Sequence, residues 1–257
     1  MRPTARKQLG QHFLHDPAVI AKIIREIAPQ RDDCIVEIGG GLGALTAPLL
    51  ERIDVLHVVE VDERLAEHLE GLDTGDGHLM VHRADALKFD FASLRTGSRR
   101  LRIVGNLPYN ISTPLLFHLL EQRSALVDLH VMLQKEVAAR IVAKPGTKDY
   151  GRLTVMLAAW MAAESCFDVG PGAFSPPPRV WSTVLRLTPQ PEARFPIADE
   201  KAFANFVRRV FSMRRKTLGR ALKGLLTPTQ IESQGIDPAT RGETLAPAQL
   251  AALASLL

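Results

Sequence analysis

The run Cys34-Ile35-Val36-Glu37-Ile38-Gly39-Gly40-Gly41-Leu42-Gly43 joins a short apolar segment to a cluster of glycines. The apolar segment predicts a buried strand, and residues 44–52 after the glycines have the pattern of a helix. Glycines at such a junction permit positive φ and a close approach of the backbone to a ligand, while free N–H groups at the helix start favour electron-rich groups. A strand, a glycine turn and a helix predict a nucleotide-binding element. The spacing fits an adenine dinucleotide and S-adenosylmethionine equally.

Two acids follow at the ends of the next two predicted strands. Residues 55–61 form a strand candidate that carries Glu60, about twenty residues past the glycines, where an acid typically binds ribose hydroxyls. Residues 79–82 form the next candidate, and Asp85 just after it would accept the adenine amine of a bound cofactor. A solvated acid at a strand end is the simpler interpretation of Asp85 taken alone.

The stretch Asn106-Leu107-Pro108-Tyr109 comes directly after the apolar run 101–105. The Asn106 side-chain oxygen and the Leu107 carbonyl would accept the two hydrogens of an exocyclic amine, and Tyr109 would stack on the base. Two such acceptors would turn the amine nitrogen towards tetrahedral geometry and activate it without a strong base. The stretch therefore predicts a pocket for methylating adenine, although Asn and Pro are also ordinary turn residues.

The order of these features predicts the architecture. The glycine loop, Glu60, Asp85 and Asn106 follow four successive strand candidates, whose ends form the edge where open α/β sheets place ligands. Residues 165–169 and 183–187 predict an antiparallel hairpin at the sheet edge, and the pattern is helical from residue 198 onward. We therefore expect an α/β domain over residues 1–190 and a small all-helical domain over residues 191–257.

At this level of detail the chain resembles the ribosomal RNA adenine dimethyltransferases, over nearly its whole length. The segments that carry the resemblance are Lys7-Gln8-Leu9-Gly10-Gln11-His12-Phe13-Leu14, residues 36–46, Gly105-Asn106-Leu107-Pro108-Tyr109-Asn110-Ile111-Ser112, Leu133-Gln134-Lys135-Glu136-Val137, Tyr150-Gly151-Arg152-Leu153, Phe174-Ser175-Pro176-Pro177-Pro178-Arg179-Val180 and Arg214-Arg215-Lys216-Thr217-Leu218. It is strongest to the bacterial branch that dimethylates two adjacent adenosines of small-subunit ribosomal RNA. The resemblance implies a Rossmann-like class I S-adenosylmethionine methyltransferase sheet and a role in assembly of the 30S subunit.

The resemblance also implies roles for individual residues. The cofactor site would be lined by His12, Leu14, Gly39, Gly41, Glu60, Asp85 and Asn106. Asn106 would also face the target base, together with Leu107 and Tyr109, and Phe174 would stack opposite Tyr109. Monomethylated amine has one hydrogen left for the two acceptors, so the second transfer would depend more on stacking by these two aromatic rings.

Two residues depart from the pattern of the family. His12 stands where many relatives have Asn, and Gly40 stands where they commonly have Pro. An imidazole and an amide can both hydrogen-bond a carboxylate, so the change at His12 weakens the resemblance little. The change at Gly40 adds chain entropy, which predicts a looser loop and some loss of cofactor affinity.

Composition limits the class of protein. A chain of 257 residues is long enough for a sizeable core and two domains, and it has neither an apolar run of membrane-spanning length nor a signal-peptide pattern. Cys34 and Cys166 form no disulfide framework, and neither they nor the eight histidines have metal-ligand spacing. We expect a cytoplasmic protein without a metal and, most simply, a monomer.

The basic residues are concentrated in two places. The net charge is +4 and the isoelectric point near 9.3, but between residues 208 and 223 there is no acid at all. The cations of this basic segment are Arg208, Arg209, Arg214, Arg215, Lys216, Arg220 and Lys223. The segment predicts phosphate contacts with RNA, whereas a solvated helical face is the simpler interpretation of a charge run. Arg2, Arg6 and Lys7 predict a second basic arm.

Three alternatives remain open from the sequence. A nicotinamide oxidoreductase explains the glycines and Glu60 but neither the Asn106 stretch nor the basic segment. A methyltransferase of large-subunit RNA would share nearly every site residue. A non-enzymatic RNA-binding assembly or transcription factor on the same fold would be indicated by a damaged pocket, yet Glu60, Asp85, Asn106 and Tyr109 are all present.

Overall fold

The computed structural model describes residues 3–6, 9–72, 77–95 and 97–257. The chain divides into two compact units. The first unit comprises Met1–Ala138 and Glu164–Pro189, and the second comprises residues 139–163 and Gln190–Leu257.

A seven-stranded sheet forms the framework of the first unit. The strands along the chain are β1 (Phe13–Leu14), β2 (Cys34–Ile38), β3 (Val55–Glu60), β4 (His78–Arg83), β5 (Leu101–Asn106), β6 (Leu126–Gln134), β7 (Met161–Val169), β8 (Phe174–Ser175) and β9 (Ser182–Pro189). The sheet order is β4-β3-β2-β5-β6-β9-β7, while β1 and β8 form a separate antiparallel ribbon. Neighbours from β4 to β6 run parallel, and β9 runs antiparallel to β6. The predicted α/β architecture is confirmed.

The order of the strands determines where a ligand can bind. The chain runs outward from β2 through β3 to β4 and then returns to the other side of β2 to form β5 and β6. Loops at the carboxyl ends of β2 and β5 therefore leave in opposite directions and open a crevice, as at the switch point of other open α/β sheets. Ile35 and Val36 of β2 have no exposed surface, which is the usual burial of a central parallel strand.

Helices connect the strands of the first unit, and one of them illustrates how the sequence determines their ends. They are α1 (Pro17–Ile27), α2 (Thr46–Leu50), α3 (Glu63–Glu70), α4 (Ser112–Glu121) and α5 (Lys135–Ile141), the last of which continues into the second unit. At the start of α1, the Asp16 carboxylate accepts the N–H groups of Ala18 and Val19 at 2.8 and 3.2 Å. Pro17 fills the first helical position, where no N–H is needed.

The second unit is mostly helical. Its helices are α6 (Arg152–Trp160), α7 (Glu200–Ser212), α8 (Leu218–Ala221), α9 (Pro228–Glu232) and α10 (Pro247–Ala254). Asp199 caps α7 by accepting two backbone N–H groups, and Phe203 and Phe206 on that helix are almost completely buried. Tyr150 is fully buried and donates its hydroxyl hydrogen to the Leu245 carbonyl at 2.7 Å, which ties the first segment of this unit to its last.

The two units differ from the predicted domains in one segment. Residues 139–163 belong by their contacts to the second unit, whereas the prediction placed them in the first domain. The reason is that α6 is the apolar run 153–161 whose type the sequence left undecided, and it packs against α7 and α10. The predicted boundary near residue 190 coincides with the start of the second segment of this unit. The predicted hairpin strands correspond to β7 and β9, which are neighbours at one edge of the sheet.

Some predictions concern residues outside the described part of the chain. Arg2 and Lys7 of the predicted basic arm lie there, as does Gln8 of the N-terminal segment. Among the described residues, no helix is both long enough and apolar enough to cross a membrane.

Candidate active site

A cavity of about 280 Å³ opens in the first unit at the carboxyl ends of β2 and β5. Loops after these strands, the loops after β3 and β4, and the segment around β1 form its walls. The lining includes nine of the predicted site residues: His12, Leu14, Gly39, Gly41, Glu60, Asp85, Asn106, Leu107 and Tyr109. The structure therefore brings together residues that are up to 97 positions apart in the sequence.

The glycine loop depends on its glycines for two different reasons. Gly39 and Gly41 have φ of 74° and 57°, in the left-handed region that side chains disfavour. Gly40 has no positive φ, but a Cβ there would lie only 2.8 Å from Val58 Cγ1 and 3.0 Å from Leu69 Cδ1. Side chains from β3 and α3 therefore occupy the space that a side chain at position 40 would need.

Glu60 lies at the end of β3 and supports the glycine loop. Its side chain accepts the N–H of Asp62 at 2.9 Å and that of Gly41 at 3.3 Å. The residue is 5% exposed, and burial raises the pKa of its carboxyl group although these hydrogen bonds oppose the shift. A carboxylate that already orders the loop is well placed for hydroxyl groups of a ligand in the cavity.

Glu37 is a second buried acid in the lining, and its role was not predicted from the sequence. It accepts the hydroxyl hydrogen of Thr46 at 2.7 Å. Burial, opposed by this hydrogen bond and reinforced by the charge of Glu60, raises its pKa to about 7. The signal in the sequence was an acid inside the apolar strand 34–38, which is costly unless the group has a partner or a function.

Asp85 lies beyond β4, with apolar residues beside it. One of its carboxylate oxygens accepts the N–H of Leu87 at 2.9 Å. Leu87 and Val61 also line the cavity, and Val61 is 55% exposed. Neither was predicted, because a single apolar residue after a strand is not distinctive in a sequence. Together they provide apolar surface for a planar group whose polar edge faces Asp85.

Asn106 is held in a defined orientation at the end of β5. Its Nδ2 donates to the His12 carbonyl oxygen at 2.9 Å, and because that oxygen only accepts, the amide nitrogen must face it. The side-chain oxygen is therefore left as an acceptor on the other branch of the amide. Gly105 makes this strand end feasible, since a Cβ there would lie 2.5 Å from the Ile38 carbonyl oxygen.

Tyr109 is anchored at its hydroxyl group. It shares a 2.7 Å hydrogen bond with the Ser182 hydroxyl, and burial raises the pKa of the phenol. Its ring centroid lies 5.5 Å from that of His12, at an interplanar angle of 31°. The Nδ1 of His12 donates to the Pro176 carbonyl at 2.7 Å. The two rings are thus fixed beside each other at the cavity wall.

The N-terminal segment is tied to the site through Asp62, which was not predicted as a site residue. This carboxylate is 2% exposed and accepts hydrogen bonds from Arg64 at 2.7 Å and from the Gln11 side chain at 3.1 Å. Hydrogen bonds from Arg64 are the main reason that its pKa is lowered to about 2. The interaction holds residues 9–14 against the cavity.

Phe174 is not where the resemblance implied. It does not line the cavity and is 2% exposed, packed in a buried apolar cluster that includes Leu14 and Val184. The cause is the pairing of β8 with β1, in which Phe174 lies opposite Leu14. In this structure a base cannot stack on Phe174 unless the β1–β8 ribbon opens.

The basic segment in the second unit separates into two groups. Arg209 donates to the Ala221 carbonyl at 2.9 Å, and Arg214 pairs with Glu243 and donates to the carbonyls of Thr147 and Lys148. Both are half-buried. Arg209 finds its acceptor on the backbone within the segment, whereas the acceptors of Arg214 lie far from it in the sequence. The remaining cations are exposed: Arg208, Arg215, Lys216, Arg220 and Lys223.

No group of three or more His, Cys, Asp or Glu side chains in the described ranges has the arrangement of a metal site. The polar groups of the cavity are instead acids, amides and backbone N–H groups. Such a set suits an organic ligand with hydroxyl and amine groups.

Comparison with known proteins agrees with this arrangement. A family model described as ribosomal RNA adenine dimethylase matches residues 2–257. The chain is 52% identical over 249 residues to the ribosomal RNA small subunit methyltransferase A of Acinetobacter baylyi, covering 97% of this chain and 91% of the relative.

Two solved structures resemble it closely as well. A dimethyladenosine transferase from Plasmodium falciparum matches with a TM-score of 0.75 at 25% identity, over 94% of this chain and 96% of the other. The 23S rRNA methyltransferase ErmE matches with a TM-score of 0.73 at 26% identity, over 95% and 98%. Because the family match spans almost the entire sequence and agrees with the fold and the cavity, the chain belongs to the ribosomal RNA adenine dimethylase family.

Proposed function

We propose that this protein dimethylates the N6 amines of two adjacent adenosines in small-subunit (16S) ribosomal RNA, with S-adenosylmethionine as methyl donor. It acts as a monomer on an immature 30S subunit in the bacterial cytoplasm. The observation that carries the proposal is the orientation of Asn106, whose amide nitrogen is held by the His12 carbonyl so that the oxygen remains as an acceptor at the cavity.

The cofactor half of the site fits S-adenosylmethionine by its donor set. Glu60 would accept the ribose hydroxyls, and Asp85 would accept the adenine amine while Val61 and Leu87 contact the faces of the ring. His12, Leu14, Gly39 and Gly41 would complete the walls. When bound, S-adenosylmethionine supplies a methyl group that is already activated by the sulfonium.

The substrate half activates the amine by geometry. The Asn106 oxygen and the Leu107 carbonyl would accept the two amine hydrogens and so orient the nitrogen lone pair for attack on a methyl donor. Tyr109, anchored by Ser182, orients the base by stacking. Exclusion of water by the cavity walls favours transfer, and the proton leaves afterwards to solvent. The target adenosine must be unpaired and unstacked to reach this site.

Phe174 retains its proposed stacking role only in a state with the β1–β8 ribbon open. Removal of the Phe174 ring would then impair the second methyl transfer more than the first. Phe174→Ala also leaves a cavity in the core, whereas Phe174→Leu preserves most of the packing and removes the aromatic ring. If Phe174→Leu makes both methyl transfers at the normal rates, the stacking role is eliminated.

Docking of RNA would involve the exposed cations of the basic segment. Arg208, Arg215, Lys216, Arg220 and Lys223 can contact phosphates without reading the sequence. Arg209 and Arg214 contribute to this surface mainly by stabilising the fold of the second unit.

A large-subunit RNA substrate is the second candidate. The fold does not discriminate, since ErmE, a 23S rRNA methyltransferase by name, is structurally as similar as the Plasmodium dimethyladenosine transferase. The degree of sequence identity favours the small subunit, with 52% to a small-subunit methyltransferase and 26% to ErmE. A nicotinamide oxidoreductase has no support from a family of methyltransferases, and the complete pocket favours an enzyme over a non-enzymatic RNA-binding factor.

The test is methyl incorporation from labelled S-adenosylmethionine into small subunits, large subunits and free RNA from cells that lack this protein. Nucleoside analysis would identify the product. We expect dimethyladenosine in small-subunit RNA alone. Label confined to large-subunit RNA would select the second candidate, and absence of label from every substrate would favour the non-enzymatic factor.

A further inference from the structure

An exposed tryptophan directly precedes Ser182, the hydrogen-bond partner of Tyr109, and has no role in the reaction described above. Val180 and Trp181 follow the proline-rich loop and are 44% and 54% exposed, whereas Ser182, Thr183 and Val184 immediately after them are buried. A tryptophan is usually largely buried, and one that keeps half of its surface in solvent contributes little to a core. Its exposure therefore calls for a function outside the folding of the chain.

The indole is nevertheless held in place. The Trp181 carbonyl accepts the N–H of Lys135 at 2.9 Å, which fixes the backbone at this point. Three atoms of the six-membered ring lie 3.6 to 3.9 Å from the position that a Cβ on Gly170 would occupy. The ring thus packs against the backbone at Gly170. An indole whose outer edge is held in this way, and which keeps half of its surface in solvent, can stack with a base without much loss of rotamer entropy.

The neighbouring residue connects this ring to the site. Ser182 is completely buried and shares the 2.7 Å hydrogen bond with the Tyr109 hydroxyl. Consecutive Cα atoms are about 3.8 Å apart, so the backbone of Trp181 is one residue from the group that anchors Tyr109. The indole therefore projects from a point of the backbone close to the part of the cavity wall that Tyr109 forms.

The charges around the indole also suit RNA. The Lys135 ammonium lies 5.9 Å from the centre of the indole and forms an ion pair with Asp168, so this pair is neutral as a whole. Arg179, two residues before Trp181, is exposed and forms no ion pair within the described ranges. An exposed aromatic ring with an unpaired arginine beside it is the combination that binds unpaired nucleotides, by stacking and by contact with the phosphate.

We propose that Trp181 is a stacking platform for an unpaired base adjacent to the adenosine being methylated, and that Arg179 contacts the phosphate next to that base. The proposal rests on the proposed function, because it assumes an RNA substrate with the target at Tyr109. Trp181 touches neither the cofactor cavity nor the amine, so it acts as a positioning residue that affects substrate binding.

The experiment compares Trp181→Phe, Trp181→Leu and Trp181→Ala in the full-length protein, on small subunits from cells that lack the protein. Phe retains a ring, while Leu retains apolar packing against Gly170 but cannot stack. We expect Leu and Ala to raise KM about tenfold and Phe less than about threefold, with kcat and cofactor affinity changed less than twofold. Met80→Ala is the matched control, because Met80 is 48% exposed on β4 and does not line the cavity.

A spectroscopic readout separates stacking from an indirect effect on folding. The protein has two tryptophans, and Trp160 is buried in the second unit. A Trp160→Phe variant therefore reports on Trp181 alone, after subtraction of the signal of the variant that lacks both. We expect small subunits to quench this fluorescence, whereas large subunits should not.

Failure of this proposal is distinguishable from failure of the proposed function. Suppose that the wild-type protein methylates small subunits. If Trp181→Leu then has the same KM as Trp181→Phe, or if small subunits do not quench the fluorescence, the stacking platform is wrong and the enzyme assignment stands. If the wild-type protein methylates no RNA, the proposed function itself is wrong and the platform falls with it.

Discussion

The Asn106 turn and the basic segment 208–223 are both polar stretches that the sequence marks as functional, yet internal hydrogen bonds have opposite consequences in the two. At Asn106, the bond from Nδ2 to the His12 carbonyl uses one end of the amide and thereby directs the other end. At Arg214, the bonds to Glu243 and to two backbone carbonyls engage the charged group itself. An internal partner therefore prepares a side chain for function when it leaves the functional atom free, and it competes with function when it engages the charged group itself.

The largest effect that tests this comparison is expected for Asn106→Ala. Loss of the oriented acceptor should lower kcat for methyl transfer about 1,000-fold, as for removal of one preorganised group that stabilises a transition state. Cofactor affinity should fall less than about fivefold, because the other lining residues remain. Steady-state kinetics and calorimetric titration with S-adenosylmethionine measure the two quantities. Equal losses in both would mean that Asn106 only builds the cofactor site.

Asn106→Asp is the matched control for the role of the His12 carbonyl. It keeps an acceptor at the cavity but replaces the donated hydrogen with a carboxylate oxygen facing a carbonyl. We expect it to lose activity nearly as severely as alanine, since the acceptor is no longer held in place. Activity near the wild-type level would show that the orientation of the amide is unimportant.

Glu37 extends the comparison to a titratable group whose partner is Thr46. In the folded protein the pKa of Glu37 is raised to about 7 from an ordinary value of 4.5. The folded protein therefore binds the proton of this carboxyl group more tightly than the unfolded chain does. The resulting stability is complete below pH 4.5 and is lost as the pH rises through about 7. The full difference corresponds to roughly 3 kcal/mol at most.

Glu37→Gln provides the measurement, since glutamine can accept the Thr46 hydrogen bond without titrating. Urea denaturation of both proteins between pH 4 and 8 gives the difference in their free energies of unfolding. We expect the wild type to lose stability relative to the variant as the pH rises, with a plateau above the folded pKa. A difference that stays constant over this range contradicts the raised pKa.

How far the sequence predicts the site depends on how local the determinants are. Asn106 and Tyr109 lie in one contiguous stretch, and Glu60 and Asp85 are each placed by the strand before them, so strand order alone brings them to one edge. In a parallel sheet the carboxyl ends of all strands lie on the same side, so residues that follow different strands meet there. The α/β fold and most of the lining were predictable for this reason.

What the sequence did not predict depends on long-range partners. The burial of Phe174 follows from pairing with Leu14, 160 positions earlier, and the half-burial of Arg214 follows from Glu243, 29 positions later. The contact of Asp62 with the N-terminal segment follows from its hydrogen bond with Gln11, 51 positions earlier. A local sequence motif identifies a side chain, but it does not show which distant residues will bury that side chain or pair with it.

A smaller effect separates the two groups of cations in the second unit. Arg214→Ala should lower the free energy of unfolding by roughly 2 kcal/mol, since Glu243 loses its ion pair and the carbonyls of Thr147 and Lys148 each lose one donor. The exposed neighbour Arg215 is the control, and its change to alanine should stay within about 0.5 kcal/mol. Urea denaturation followed by circular dichroism measures both. The distinction fails if the two variants are equally stable.

The smallest effect concerns the exposed cations one at a time. Lys216→Ala should leave stability unchanged and reduce the slope of log K for RNA binding against log salt by about one, as expected for loss of one phosphate contact. Arg209→Ala should do the reverse, because Arg209 donates to the Ala221 carbonyl inside the unit. Filter binding of small-subunit RNA gives the slopes. The salt concentration is varied from about 50 to about 200 mM, where the release of counterions dominates the salt dependence. If both variants reduce the slope equally, an internal hydrogen bond does not prevent a cation from contacting RNA. The contrast between the two regions would then fail for the cations, and only the orientation of the Asn106 amide would depend on its internal hydrogen bond.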